Sequence, residues 1–340
     1  MHPGAHPVSG ATILGCAGLT LAGDEGAFFR DADPWGFILF SRNIETPAQV
    51  RRLTAALRDA VGRDASIFID QEGGRVARLT APHWRDWPPA RDQVMALAPD
   101  EARRAMYLRA RLIADELHAL GIDGNCAPLA DIARAETHPV LLNRCYGDDV
   151  EMVAIIARAV ADGCLDGGVL PLLKHIPGHG RATRDSHLDL PRVTVSRAEL
   201  DSTDFAAFAA LSDLPLAMTA HVVFDALDPD RCATQSAAVI SMIRDAIEFG
   251  GLLMTDDLSM QALNGPMEER CAAALSAGCD LMLHCNGDRA EMAAVVAASG
   301  RLAGASAARA ERALAARRTP AAFDATAAEA EYCRLAGAHV

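Results

Sequence analysis

Four stretches of the sequence end an apolar run on residues able to do chemistry: FIDQEGGR (68–75), LLKHIPGHG (172–180), MTAHVVFD (218–225) and LMTDDLSM (253–260). They present Asp70, Lys174 with His175, His221, and Asp256 with Asp257. A carboxylate that is partly desolvated and flanked by cations is set up as a nucleophile, and Asp256 takes that role. Asp257, whose side chain leaves an extended backbone on the opposite side, is expected to cap the helix that follows. Asp70 precedes Gly73-Gly74, which let the backbone turn sharply away. It suits an acceptor for the paired hydroxyls of a sugar, with Arg75 and Arg78 as counter-charges. Any one of these aspartates could equally be a helix cap or a surface ion pair; four such strand ends together point to a site.

The densest stretch is KHIPGHGRATRDSHLDLP, residues 174–191. Lys174 and His175 can donate hydrogen bonds to a ligand. Asp185, two residues before His187, can orient the imidazole and stabilise its protonated form, which equips the pair for general acid/base work near neutral pH. Gly178 and Gly180 are expected to give the loop freedom to close. A competing reading makes His175, His179, His187 and Asp185 metal ligands. No HExxH, HxH or HxxxD pattern supports it, and Pro177 interrupts any helix that would put His175 and His179 on one face. A loop without chemistry is the third reading. We expect no metal and no cofactor.

The elements that must position these residues are short apolar runs: ATILGC, WGFILF, SIFID, GIDGNCAPL, GVLPLLKH, PLAMTAHVVF, GGLLMTD and CDLMLH. Amphipathic stretches such as 47–62 and 98–121 alternate with them, their apolar residues spaced by three and four. Continuous apolar strands between helices imply a parallel sheet covered on both faces. Eight of them predict an α/β fold closed into a single (β/α)8 TIM-type barrel, whose active site lies at the C-terminal strand ends. The alternative, an open doubly wound sheet, lacks support: no GxGxxG follows the first run and no GxxxxGK[ST] is present. We expect one domain over 1–340, with a core of about 11–300 and an Ala-rich helical tail over 301–340 packed on the barrel.

Composition excludes several classes. The chain has 340 residues, 51% hydrophobic and 23% charged, with a net charge of −13, which disfavours nucleic acid and anionic membranes as partners. The nine cysteines are scattered without a CxxC pair and read as buried free thiols of a reducing, cytoplasmic setting. GATILGCAGLTLAG has no preceding Lys or Arg, so it reads as a first strand rather than a signal peptide. No run reaches the ~20 apolar residues of a membrane span. A small-molecule substrate and a monomeric state are expected.

DQEGGRVARL, KHIPGHGRATRDSH and TDDLSM, in this order, closely resemble the family 3 glycoside hydrolases, specifically the bacterial single-domain β-N-acetylglucosaminidases of peptidoglycan recycling. The resemblance covers about residues 11–290. It implies that Asp256 is the nucleophile of a retaining reaction through a covalent glycosyl intermediate. It further implies that His187, paired with Asp185, is acid and then base, and that Asp70, Arg78, Arg144, Lys174 and His175 hold an N-acetylglucosamine unit. The implied substrate is GlcNAc-β-1,4-anhydro-N-acetylmuramic acid, with or without peptide. Two positions depart from the family pattern: Ile176 replaces an aromatic, and LLNRCYG (141–147) stands where IGxRSFG is common. Larger members take the acid from a second domain. Little chain follows the eighth run here, so the 174–191 loop is expected to supply it.

Overall fold

The computed structural model describes residues 9–184 and 189–337. Eight parallel strands form the sheet: β1 (Gly10–Gly15), β2 (Pro34–Leu39), β3 (Ser66–Ile69), β4 (Gly124–Asn125), β5 (Leu170–Ile176), β6 (Leu216–Thr219), β7 (Leu252–Met254) and β8 (Met282–His284). They pair in sequence order from β1 to β7, and β8 returns to β1 with Ile13 opposite Leu283. A parallel bridge from Met254 to Leu281 joins β7 to β8 and closes the ring. This is the (β/α)8 barrel that the run pattern predicts.

Side-chain alternation along each strand builds two apolar layers. Ile13, Phe68, Leu172, Leu252, Met254, Leu281 and Leu283 fill the barrel, while their neighbours Leu14, Ile67, Leu173, Leu253 and Met282 meet the surrounding helices. Both faces are therefore dry, which is why the runs read as continuous rather than alternating. The helix Pro47–Val61 starts on Thr46, whose side chain accepts from Gln49 N, and stops at Gly62 in the left-handed region. Pro99–Ala119 and Val150–Asp166 are the longest of the cover.

Two runs are shorter than expected. Only Gly124–Asn125 of GIDGNCAPL pairs on both sides: the Ala127 N–H turns back onto the Asn125 carbonyl, and Pro128 has no N–H to offer a neighbour. PLAMTAHVVF splits after Thr219: Val223–Phe224 leaves the barrel and pairs with Arg192–Val193 and Asp228–Cys232 in a small separate sheet. The break falls where His221 turns inward to bond Thr234 and the Asp257 carbonyl.

The tail forms helices Gly304–Ala315 and Ala325–Ala336. Leu302, Ala310 and Ala313 join the apolar interior of the barrel, and Tyr332 stacks edge-on against Trp87 at 5.2 Å. The most deeply buried carboxylate of the tail's anchorage is Asp280. Asp280, 1% exposed, accepts from Leu253 N at 2.9 Å, Arg244 Nη2 at 2.8 Å, Ser306 Oγ at 2.6 Å and Arg309 Nη2 at 2.7 Å. Asp280→Ala would leave two arginines without their shared partner. We expect a loss of about 3 kcal/mol of unfolding free energy in urea melts, and a loss below about 1 kcal/mol would contradict the clamp.

Candidate active site

At the C-terminal end of the barrel a chain of alternating charge crosses from β3 to β5. Asp70 Oδ2 accepts from Arg78 Nη2 at 3.2 Å and Oδ1 from Lys174 Nζ at 3.0 Å. Lys174 Nζ also reaches Glu72 Oε1 at 2.7 Å. Glu72 then takes both arms of Arg144, Nε at 2.9 Å and Nη2 at 2.8 Å, the fork geometry that makes Arg–carboxylate pairs strong. Lys174 is 1% exposed, and a lone ammonium at that depth would not stay charged. Burial by itself pushes the Asp70 and Glu72 carboxyls upward. The Lys174, Arg78 and Arg144 charges outweigh it, leaving Asp70 well below the usual carboxylate range and Glu72 at about 2.

The turn that carries Glu72 is shaped by a glycine. Gly73 has φ 102°, and a Cβ there would sit 1.9 Å from the Arg109 guanidinium. Arg109, itself buried, donates to the Glu72 carbonyl and to Gln93 Oε1.

His175 is held by a second carboxylate. Its Nδ1 lies 2.7 Å from Asp131 Oδ2, and the His179 backbone N–H donates to Asp131 Oδ1 at 2.6 Å. Burial raises the Asp131 carboxyl, but His175 and His179 more than compensate and keep it below its usual range. An ionised Asp131 fixes the proton of His175 on Nδ1. His179 packs its ring 5.4 Å from that of His175. Burial, and then the nearby His175, bring its pKa down to about 4. Gly180 does not act as a hinge: a Cβ would lie 1.9 Å from the Ile132 carbonyl oxygen, so this position requires glycine for close backbone packing.

Asp256 follows β7, and its Oδ1 accepts from Asp257 N at 2.8 Å. Asp257 caps no helix. Its Oδ1 accepts from Ser259 N and Cys285 N and its Oδ2 from Ser259 Oγ, tying the turn after β7 to the end of β8; the next helix begins only at Met267.

Asp70, Arg78, Arg144, Lys174, His175 and Asp256 line one pocket of about 290 Å³, at the small end of the range for ligand sites. Apolar walls come from Ile38, Phe40, Met218, Met260 and Leu283. Arg42 and Arg78 stand 5.0 and 5.4 Å from the Phe40 ring centroid, a cation–π contact with each guanidinium. Asp185 and His187 lie outside the described residues.

Sequence reasoning missed Glu72 and Asp131. Glu72 is two positions from Asp70, on the same side of an extended backbone, and could have been found by that spacing. Asp131 ends the apolar CAPLA run just as Asp70 ends SIFI, so the strand-end rule applied once more would have marked it. The nine cysteines are all free, seven of them buried. Among the described residues no group of three or more His, Cys, Asp or Glu is placed to hold a metal ion. No helix of the described residues is long and apolar enough to cross a membrane.

A parallel barrel with carboxylates and cations converging on a small pocket at its C-terminal mouth has the layout of an α/β-barrel enzyme site for a polar small molecule. The profile of the glycosyl hydrolase family 3 N-terminal domain matches residues 30–315. The chain belongs to glycosyl hydrolase family 3 and is a glycoside hydrolase. It is 36% identical over 282 residues to a beta-hexosaminidase of Alkalilimnicola ehrlichii, covering 82% of this chain and 81% of that one. It is also 36% identical over 298 residues to a beta-hexosaminidase of Pseudomonas aeruginosa, covering 87% and 88%. The crystal structure of NagZ from Neisseria gonorrhoeae in complex with N-trifluoroacetyl-D-glucosamine superimposes with a TM-score of 0.84 at 29% identity, covering 98% of each chain.

The depressed pKa values set a pH dependence. His179 stays neutral in the fold down to about 4, while an unfolded histidine takes up its proton near 6.5. Glu72 resists protonation down to about 2, against 4.5 when unfolded. Both contributions are present above the unfolded pKa and are lost as pH falls through the folded one. Urea melts should therefore show stability dropping below pH 6.5 and again between 4.5 and 2. Glu72→Gln should lower stability at neutral pH and flatten the lower leg; an unchanged slope there would contradict the assignment.

Proposed function

We propose that the chain is a retaining exo-β-N-acetylglucosaminidase acting on peptidoglycan fragments. Its substrate would be GlcNAc-β-1,4-anhydro-N-acetylmuramic acid, with or without peptide, met in the cytoplasm. The observation that carries this reading is the Asp256 carboxylate, in one small pocket with Asp70, Arg78, Arg144 and Lys174. Ionised carboxylates and fixed donors of this kind match the paired hydroxyls and amide of one N-acetylated sugar. The beta-hexosaminidase relatives and the N-trifluoroacetyl-glucosamine bound by the gonococcal protein support the same sugar.

In this reading Asp256 attacks the anomeric carbon as the glycosidic C–O bond breaks. His187, oriented by Asp185, gives its proton to the departing oxygen. Water then loses a proton to His187 and attacks the same carbon, which frees the sugar with retained configuration and regenerates Asp256. A histidine acid avoids placing a second negative charge beside the nucleophile. Asp70, Arg78, Arg144, Lys174 and His175 hold the sugar throughout.

A fluorinated GlcNAc analogue should trap the intermediate on the peptide containing Asp256, and Asp256→Ala should abolish hydrolysis of an aryl β-GlcNAc. Near-wild-type turnover by that folded variant would remove the nucleophile assignment. His187→Ala should cost less with a good leaving group than with the disaccharide, since a good leaving group needs little protonation. Equal losses would remove the acid role.

The rim supports an acidic leaving unit. Arg75 is exposed, lines the same pocket and donates to the Val140 carbonyl at 2.7 Å, yet makes no salt bridge among the described residues. An exo enzyme buries the terminal sugar, so a rim cation faces what departs, and in the peptide-free substrate the lactyl carboxylate of the muramic unit would meet it. Arg75→Ala should raise KM for the peptide-free anhydromuramyl substrate roughly 3- to 10-fold, the scale of one exposed charge-assisted hydrogen bond. A neutral aryl glycoside should change far less; equal changes would refute this.

A further inference from the structure

His221 was marked by its strand-end position, but it does not line the pocket. It is completely buried and sits two residues beyond the end of β6. Its Nε2 lies 3.1 Å from the Asp257 backbone carbonyl, which can only accept. Nε2 therefore carries the proton, and Nδ1 accepts from the Thr234 hydroxyl at 2.7 Å. Thr234 Oγ1 is in turn 2.8 Å from Thr219 Oγ1. The relay runs from Thr219 through Thr234 and His221 to the Asp257 carbonyl. Burial holds the imidazole below its usual pKa, with the Asp256 charge acting in the opposite direction, so the ring is neutral at working pH and its donor is permanently set.

The bond that matters ends on Asp257, because the N–H of the same residue fixes Oδ1 of Asp256. We propose that His221 is a positioning residue for the nucleophile: by gripping the Asp257 carbonyl it restrains the backbone turn at Asp257, the residue whose N–H holds the Asp256 carboxylate. This rests on the reading of Asp256 as nucleophile. The Asp257 carboxylate holds the turn from its other side through Ser259 and Cys285. His221 supplies the hold from β6, so the turn is braced from both neighbouring strands.

The role predicts a loss in the chemical step rather than in sugar binding. His221→Phe keeps the ring volume and removes both hydrogen bonds. It should lower kcat for an aryl β-GlcNAc by roughly 10- to 100-fold, as misplacement of a reacting group by about an ångström does, with KM within about 3-fold of wild type. His221→Gln, whose amide nitrogen can reach the Nε2 position, should recover most of the lost kcat. Thr234→Val, which leaves Nδ1 without its donor, should cost kcat several-fold and carries the test if His221→Phe does not fold. Unchanged kcat in a folded His221→Phe, or in Thr234→Val when the former is unfolded, would overturn the proposal. Parallel falls in kcat and apparent affinity that glutamine does not relieve would do so too. Asp256→Ala distinguishes the two readings: if it keeps turnover, the nucleophile assignment fails, whereas an inactive Asp256→Ala beside an unaffected His221→Phe removes only the positioning role.

Discussion

The ammonium of Lys174 is the group on which the pocket depends. It is buried between Asp70 and Glu72, and each of those carboxylates recruits an arginine, Arg78 on one side and Arg144 on the other. Removing Lys174 would leave two largely buried carboxylates beside each other, each with only its arginine as partner. The arrangement is also rigid. Asp70, Glu72, Arg144 and Lys174 are each held at two or more points, so the donors and acceptors they present to the pocket are fixed before any ligand arrives. Pre-organisation of this kind explains why so short a strand as β3 can carry so much of the site: the charges hold one another, and the backbone supplies only their starting points.

A second, independent carboxylate organises the neighbouring loop. Asp131 takes the His175 ring and the His179 backbone together, so the strand end and the loop after it share one anchor beneath the pocket. Pinning of Gly180 against Ile132 extends that anchoring along the loop. The front of the 174–191 stretch is thus part of the scaffold, packed as tightly as the barrel wall.

Most of the fold was legible because barrel strands buried on both faces must be continuously apolar and the helices between them amphipathic. The eight runs map onto the eight strands. Their lengths were not legible, since pairing is cut short at Ala127 and Pro128 and by the inward turn at His221, events set by tertiary contacts. At the site, residues placed by a strand end were readable: Asp70, Lys174, His175 and Asp256 all line the pocket. Supporting groups were harder. Glu72 reads as one more acidic residue until its bond to a buried lysine is seen, and Asp131 sits in a stretch whose strand is only two residues long. Asp257 was misjudged because a carboxylate before a helical stretch invites a cap, whereas here it bridges two strand ends.

Barrel closure has a consequence for the order in which the protein becomes competent. Every residue of the charge chain lies between positions 70 and 174, so the segments that carry it are synthesised before β6, β7 and β8. Asp256 is different: the turn that carries it is held to Cys285 and by backbone bonds from Thr255 and Leu258 to Leu281 and Leu283. That support arrives with β8, the final strand to be synthesised, which also has to find β1 across nearly the whole chain. A nascent chain can thus assemble the ion network before the turn at Asp256 has its full support. Completion of the pocket therefore waits on the closure of the barrel.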